Sequence, residues 1–169
     1  MTHLRIGARG SDLSLAQTRW TIARLVEANP GLTTELVVIK THGDRDQRTP
    51  LAVLDVTGGF VKDIEIALLN GEIDLAVHSL KDVPTVATAG LTIAEYPPRA
   101  PAHDVLVTRV PVELGRLPVG YVVGTSSPRR SCQVKRFAPR VATAPIRGNV
   151  PTRLRHVEEG RFDAVVLAA

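Results

Sequence analysis

Apolar residues along the chain fall in short runs, separated by stretches with helical or turn patterning. Leu4 to Ala8 reads as a strand, and Ser11 just beyond it as a helix N-cap. A helix then runs to about Ala28 and stops at Asn29-Pro30-Gly31. Glu35 to Lys40 is predicted as a second strand, with Val37, Val38 and Ile39 consecutive, as in a strand covered on both faces. Thr41 to Gly59 is polar and glycine-containing, a long loop and a candidate lid. Val61, Ile64, Ala67 and Leu68 repeat at helical spacing up to Asn70-Gly71. Asp74 to His78 and Leu91 to Ala94 read as a third and a fourth strand.

Three prolines between Tyr96 and Pro101 then break the pattern, since proline cannot continue a sheet ladder. This segment reads as a crossing between a first lobe over 1–98 and a second over 99–169. In the second lobe the pattern predicts strands at Val105 to Thr108, Tyr121 to Gly124, Val141 to Ile146 and Asp163 to Leu167. Helices are expected from Pro128 and over Val150 to Glu159. Strands alternating with helices define an α/β class with mainly parallel sheets and flanking helices. The chain stops at Val165-Val166-Leu167-Ala168-Ala169, at a buried strand, so the first lobe is expected to be incomplete and the second truncated at its C-terminus.

Composition adds three constraints. Apolar residues at 44% and charged residues at 22% are ordinary for a chain that packs a core. No apolar run approaches the length of a membrane span, and Met1 to Gly10 has no signal-peptide core, which makes the cytoplasm the default compartment. The one cysteine, Cys132, excludes an internal disulfide, and no metal site is expected. The net charge of +4 is carried by only four lysines (Lys40, Lys62, Lys81 and Lys135) and by 17 arginines. Arginine's rigid donor fork suits carboxylates and phosphates, although a codon bias toward arginine would give the same count. Six aromatic residues offer little stacking surface for bases, which weighs against a nucleic-acid partner.

Ligands of open parallel sheets bind beyond the C-terminal ends of the strands, where helix N-termini point their donors. Four such ends carry a cation: Ala8-Arg9-Gly10-Ser11, His78-Ser79-Leu80-Lys81-Asp82-Val83-Pro84, Gly124-Thr125-Ser126-Ser127-Pro128-Arg129-Arg130, and Arg147-Gly148-Asn149-Val150 with Arg153 beyond it. Each residue also has a plainer reading. Ser11, Asp82 and Ser127 suit helix caps, and Arg129 and Arg130 suit a solvated helix face. Lys81 and Asp82 suit a surface pair. His78 reads as a buried strand histidine and Cys132 as a small core residue. Together the four ends would form a basic, hydroxyl-rich cleft between the lobes, containing one carboxylate.

These runs, with Leu13 to Gln17, resemble in order and spacing the signatures of the porphobilinogen deaminase (hydroxymethylbilane synthase) family. The HSLKDVP and GTSSPRR runs are the most specific of them. The resemblance covers the whole chain and about the first half of the family's usual length. It implies a two-lobed fold similar to type II periplasmic binding proteins, and a transferase of tetrapyrrole and haem biosynthesis. That enzyme condenses four porphobilinogen molecules stepwise and releases ammonia. The resemblance also implies that Asp82 is the catalytic carboxylate and that Arg9, Ser11, Arg147 and Arg153 bind substrate. Ser79, Lys81, Thr125, Ser126, Ser127, Arg129 and Arg130 would bind the dipyrromethane cofactor, and Phe60 belongs to the lid.

In the family a cysteine of a C-terminal domain carries dipyrromethane through a thioether. Cys132 does not match that cysteine, so the implied partners are porphobilinogen and a separate C-terminal half, with no membrane and no nucleic acid. An alternative is a non-catalytic protein that keeps a degenerate anion site for pyrrole carboxylates.

Overall fold

The computed structural model describes residues 2–41, 59 and 61–169, and the chain divides into two compact units, Met1–Glu95 and Tyr96–Ala169. The expected lid over Thr41 to Gly59, and Phe60, fall almost wholly outside the described residues.

The first unit carries β1 (His3–Arg9), α1 (Asp12–Ala28), β2 (Thr33–Ile39), α2 (Lys62–Leu69) and β3 (Leu75–Ala76). Its sheet is parallel in the order β2-β1-β3, with Ile6 of β1 level with Leu36 and Leu75. Ile6 and Ala8 are fully buried in the central strand, and Ile64, Ala67 and Ile73 pack together with Val37 and Ile39. A side chain at Gly7 would collide with Ile73 Cδ1, which is itself buried, so glycine is what lets β1 approach Ile73. Ser11 Oγ caps α1 by accepting from the Ser14 N–H at 3.4 Å, which provides a partner for one of the free donors of the first turn.

β3 is shorter than expected. Asp74 N–H donates to Arg5 O and Val77 N–H to Gly7 O, and the ladder to β1, its one neighbour among the described residues, ends there. His78 therefore sits beyond the strand, not within it. Leu91 to Ala94 forms no strand: the Leu91 N–H turns back to Thr88 O, Ile93 is half exposed, and no strand pairs with it among the described residues.

Arg5 fastens β1 to the start of β3. Its backbone N–H, Nε and Nη2 all donate to the Asp74 carboxylate, at 2.8, 3.1 and 2.7 Å. The side-chain bonds from Arg5, followed by its backbone N–H, lower the Asp74 pKa to about 2. Because the folded pKa lies below the ordinary value near 3.9, the pair contributes fully above about pH 4, and the contribution is lost as pH falls toward 2. Thermal melts of the parent and Asp74→Asn should therefore differ at about pH 5 and converge by about pH 2. A difference that does not change over that window would show that the carboxylate does not act through its charge.

The second unit carries β4 (Asp104–Thr108), β5 (Val122–Gly124), α3 (Pro128–Phe137), β6 (Ala142–Ala144), α4 (Val150–Glu158) and β7 (Ala164–Ala168). The sheet order is β4-β7-β5-β6. The β4–β7 pair is antiparallel, and β7–β5 and β5–β6 are parallel. Strand alternation explains how β7 joins two cores. Ala164 and Val166 face a cluster with Val123, Val134 of α3, Ala138 and Val141. Val165 and Leu167 face a second cluster with Ile146, Leu154 and Val157 of α4, and Phe162. A strand covered on both faces must be apolar throughout, which is why its sequence reads as an unbroken run. Cys132 is exposed and is not a core residue, because α3 turns Val134 inward and leaves Cys132 on another face. Among the described residues no helix is long and apolar enough to cross a membrane.

Candidate functional site

In the first unit the site is built where β1 and β3 end. Arg9 is the last residue of β1, and its backbone N–H donates to Ser14 Oγ at 3.2 Å, which draws the strand end onto the first turn of α1. Ser79 Oγ donates to Gln17 Oε1 at 2.8 Å, so the segment after β3 is tied to the same helix one turn further on. Leu80–Asp82 then make a single 3-10 turn closed by the Asp82 N–H on Ser79 O, and the chain leaves it extended. No α-helix follows, so Asp82 caps none, whereas Ser11 and Ser127 are true N-caps. This removes the plainer reading for Asp82 alone.

Arg9, Ser11, Ser14, Gln17, His78, Ser79 and Asp82 border a cavity of about 40 Å³. The Arg9 Nη1 lies 3.9 Å from Asp82 Oδ2, with the two side chains 19% and 34% exposed. An ion pair so long and partly hydrated is worth at most about 1 kcal/mol, so it orients Asp82 without consuming its lone pairs. Burial pushes the His78 pKa down; the Asp82 and Glu65 carboxylates pull it back up in part, and Arg9 opposes them. His78 is consequently neutral near pH 7. Lys81 is exposed and makes no ion pair among the described residues.

In the second unit the site is built on the N-termini of α3 and α4. Ser127 Oγ accepts from the Arg130 N–H at 3.4 Å, and Pro128 occupies the first turn of α3, where its missing donor costs nothing. Thr125 is buried and its Oγ1 accepts from the Ser127 N–H at 3.2 Å. Ser126 Oγ donates to Ile146 O at 2.6 Å and accepts from the Ile146 N–H at 3.0 Å. Asn149 caps α4 through the Thr152 N–H and hydroxyl. Gly148 has φ of +98°, a backbone conformation that admits glycine and few other residues.

The arginines divide into two kinds. Arg129 is exposed. Arg130 makes a fork with Asp104, through Nε at 2.9 Å and Nη2, and also reaches Val166 O at 3.4 Å. Arg153 donates to Gly148 O at 2.8 Å. Its pKa is lowered, first by burial and then by the charges of Arg130 and Arg147. Three guanidinium groups thus interact unfavourably in a partly buried setting, an arrangement that an anion would relieve.

Every predicted site residue except Phe60 is described: Arg9, Ser11, Ser79 and Asp82 border the cavity of the first unit, Lys81 lies exposed between Ser79 and Asp82 in sequence, and the others stand on α3, α4 and the loops that lead into them. Ser14, Gln17 and Asp104 received no role from the sequence. Ser14 and Gln17 could have been found from their spacing of three and six residues after Ser11, which puts them on one helical face. Asp104 follows a proline-rich segment with no local signal.

A crystal structure of the BvgS periplasmic VFT2 domain of Bordetella pertussis matches 98% of this chain and 66% of its own, at 16% identity and a TM-score of 0.50. A double mutant of the same domain matches at 19% identity and a TM-score of 0.52. The fold is therefore the periplasmic-binding-protein-like α/β fold. Residues 4–169 match the family model described as porphobilinogen deaminase, dipyromethane cofactor binding domain. The chain is 48% identical over 166 residues to a probable porphobilinogen deaminase of Pyrobaculum islandicum, covering 98% of this chain and 55% of that one. A porphobilinogen deaminase of Syntrophobacter fumaroxidans is also 48% identical, with 98% and 54% covered. The chain belongs to the porphobilinogen deaminase family. It spans about half the length of the curated relatives it matches.

Proposed function

We propose that this chain is the cofactor- and substrate-binding part of a cytoplasmic hydroxymethylbilane synthase, which condenses porphobilinogen units and releases ammonia. The observation that carries the reading is Asp82: a carboxylate on a small cavity, capping no helix, held loosely by Arg9 at 3.9 Å. When bound, dipyrromethane supplies the pyrrole carbon to which the first unit is added. The donor set suits it, because each pyrrole brings an acetate and a propionate and the second unit gathers Arg130, Arg147 and Arg153.

Arg9, Ser11, Arg147 and Arg153 bind the side-chain carboxylates of the incoming substrate. Lys81, Thr125, Ser127, Arg129 and Arg130 bind those of the cofactor, while Ser79, whose proton goes to Gln17 Oε1, holds the segment after β3 on α1. Thr125 and Ser127 accept bonds from backbone N–H groups, so each hydroxyl keeps its proton to donate to a carboxylate. Asp82 accepts from pyrrole N–H groups, stabilises the positive charge that develops when the amine leaves, and takes up the proton released from the pyrrole carbon. The attachment cysteine falls in the C-terminal half that the curated relatives carry and this sequence does not span.

The test is reconstitution. The chain, combined with the C-terminal half of a full-length relative, should consume porphobilinogen and release one ammonia per unit consumed. A mixture that neither binds nor consumes porphobilinogen would overturn the reading.

A further inference from the structure

We propose that Ser126 is a positioning residue and not a ligand: its hydroxyl straps the loop after β6 to the loop after β5, and so sets where Arg147 stands. The role assigned to Arg147 rests on the carboxylate-binding reading of the second unit. The strap itself rests on geometry.

The β5–β6 ladder ends at the Gly124–Ala144 pair. One residue on, the Thr125 N–H still donates to Ala144 O at 2.9 Å. Beyond that point a side chain replaces the backbone. Ser126 Oγ satisfies both polar groups of Ile146, donating to the carbonyl at 2.6 Å and accepting from the N–H at 3.0 Å. A hydroxyl has one proton. Ser126 spends it on Ile146 and has none left for a carboxylate, unlike Thr125 and Ser127, which only accept. The Ile146 side chain is 2% exposed and locked among Val157, Val165 and Leu167. The Ile146 peptide is thus held from both sides, by the core and by Ser126. Arg147 is the next residue, and Gly148 at φ +98° turns the chain straight into α4. Fixing the Ile146 peptide leaves Arg147 little freedom except in its own side chain.

Amide exchange read by NMR on the ¹⁵N-labelled chain tests this, with porphobilinogen binding measured by calorimetry. In the parent, the Ile146 amide should be protected although it lies outside any strand. Ser126→Ala should speed its exchange roughly ten- to hundredfold and weaken porphobilinogen binding several-fold. Ser126→Thr should restore both, and Arg147→Leu should weaken binding with Ile146 still protected. Weaker binding in Ser126→Ala with unchanged Ile146 protection would make Ser126 a direct ligand and overturn the strap. So would an Ile146 amide that exchanges like an open loop in the parent, a result that needs no variant to fold. Lost protection with no change of affinity in either variant would leave the strap standing and refute the carboxylate site.

Discussion

Asp82→Asn is expected to slow porphobilinogen condensation roughly 100- to 1000-fold, the usual cost of removing one preorganised electrostatic group, while binding changes little. Asparagine keeps the size of the side chain and can still accept a hydrogen bond, so the variant isolates the charge. The loss is large because a fixed carboxylate stabilises the positive charge that develops in the transition state and a neutral amide does not. Affinity is spared because substrate carboxylates are assigned to arginines, and Asp82 would repel them. Single-turnover rates of the reconstituted enzyme supply the first measurement. The His78 titration supplies a second, independent of turnover. Asp82 raises the His78 pKa against the dominant effect of burial, so removing the charge should move the His78 midpoint still further below its ordinary value near 6.5. A variant with that shift and a near-parent rate would have lost the charge without consequence, and Asp82 would have no catalytic part.

Most of the fold was legible because the patterns that encode it are local. The run Val165-Val166-Leu167 announces a strand covered on both faces, and both faces of β7 are indeed packed. Ser11 and Ser127 announce helix starts with side chains that accept first-turn N–H groups. The failures have separate causes. Leu91 to Ala94 has strand-like composition, but a strand exists only where a neighbour offers a ladder, and that is not written in four residues. β3 stops at Ala76 although β1 runs on to Arg9, and this early departure places His78 at the cavity and not inside the sheet. Cys132 was misplaced because α3 is so rich in charge that its buried face rests on Val134 alone.

The site was legible by a different route. Physical reading located cations at strand ends, and the family resemblance assigned their roles. Neither could supply the pairing of those cations. Arg130 looks like a solvated cation in the sequence, yet its fork is anchored on Asp104, 26 residues away, which fixes where the guanidinium stands. Arg147 and Arg153 are drawn together because α4 begins between them, with Arg153 reaching back to Gly148 O. Long-range pairing of this kind decides where each guanidinium is held.

Arg147→Leu should therefore give the opposite split from Asp82→Asn. A hydrogen bond to a charged group is worth about 1.5–3 kcal/mol, so porphobilinogen binding should weaken roughly 10- to 100-fold. The single-turnover rate at saturating substrate should stay close to the parent's, since Arg147 holds carboxylates remote from the reacting carbon. Salt gives a further distinction. Charge–charge attraction is screened with a Debye length near 10 Å at about 0.1 M, so the parent's affinity should fall more steeply with added salt than the variant's. The unfavourable charge interaction between Arg147 and Arg153 also disappears, and Arg153 keeps its own charge. Arg153 then remains a full carboxylate donor in the variant, which is why the loss should be partial and not complete. An Arg147→Leu variant that keeps the parent's affinity and salt slope would take Arg147 out of the substrate site and leave its charge with only a structural role.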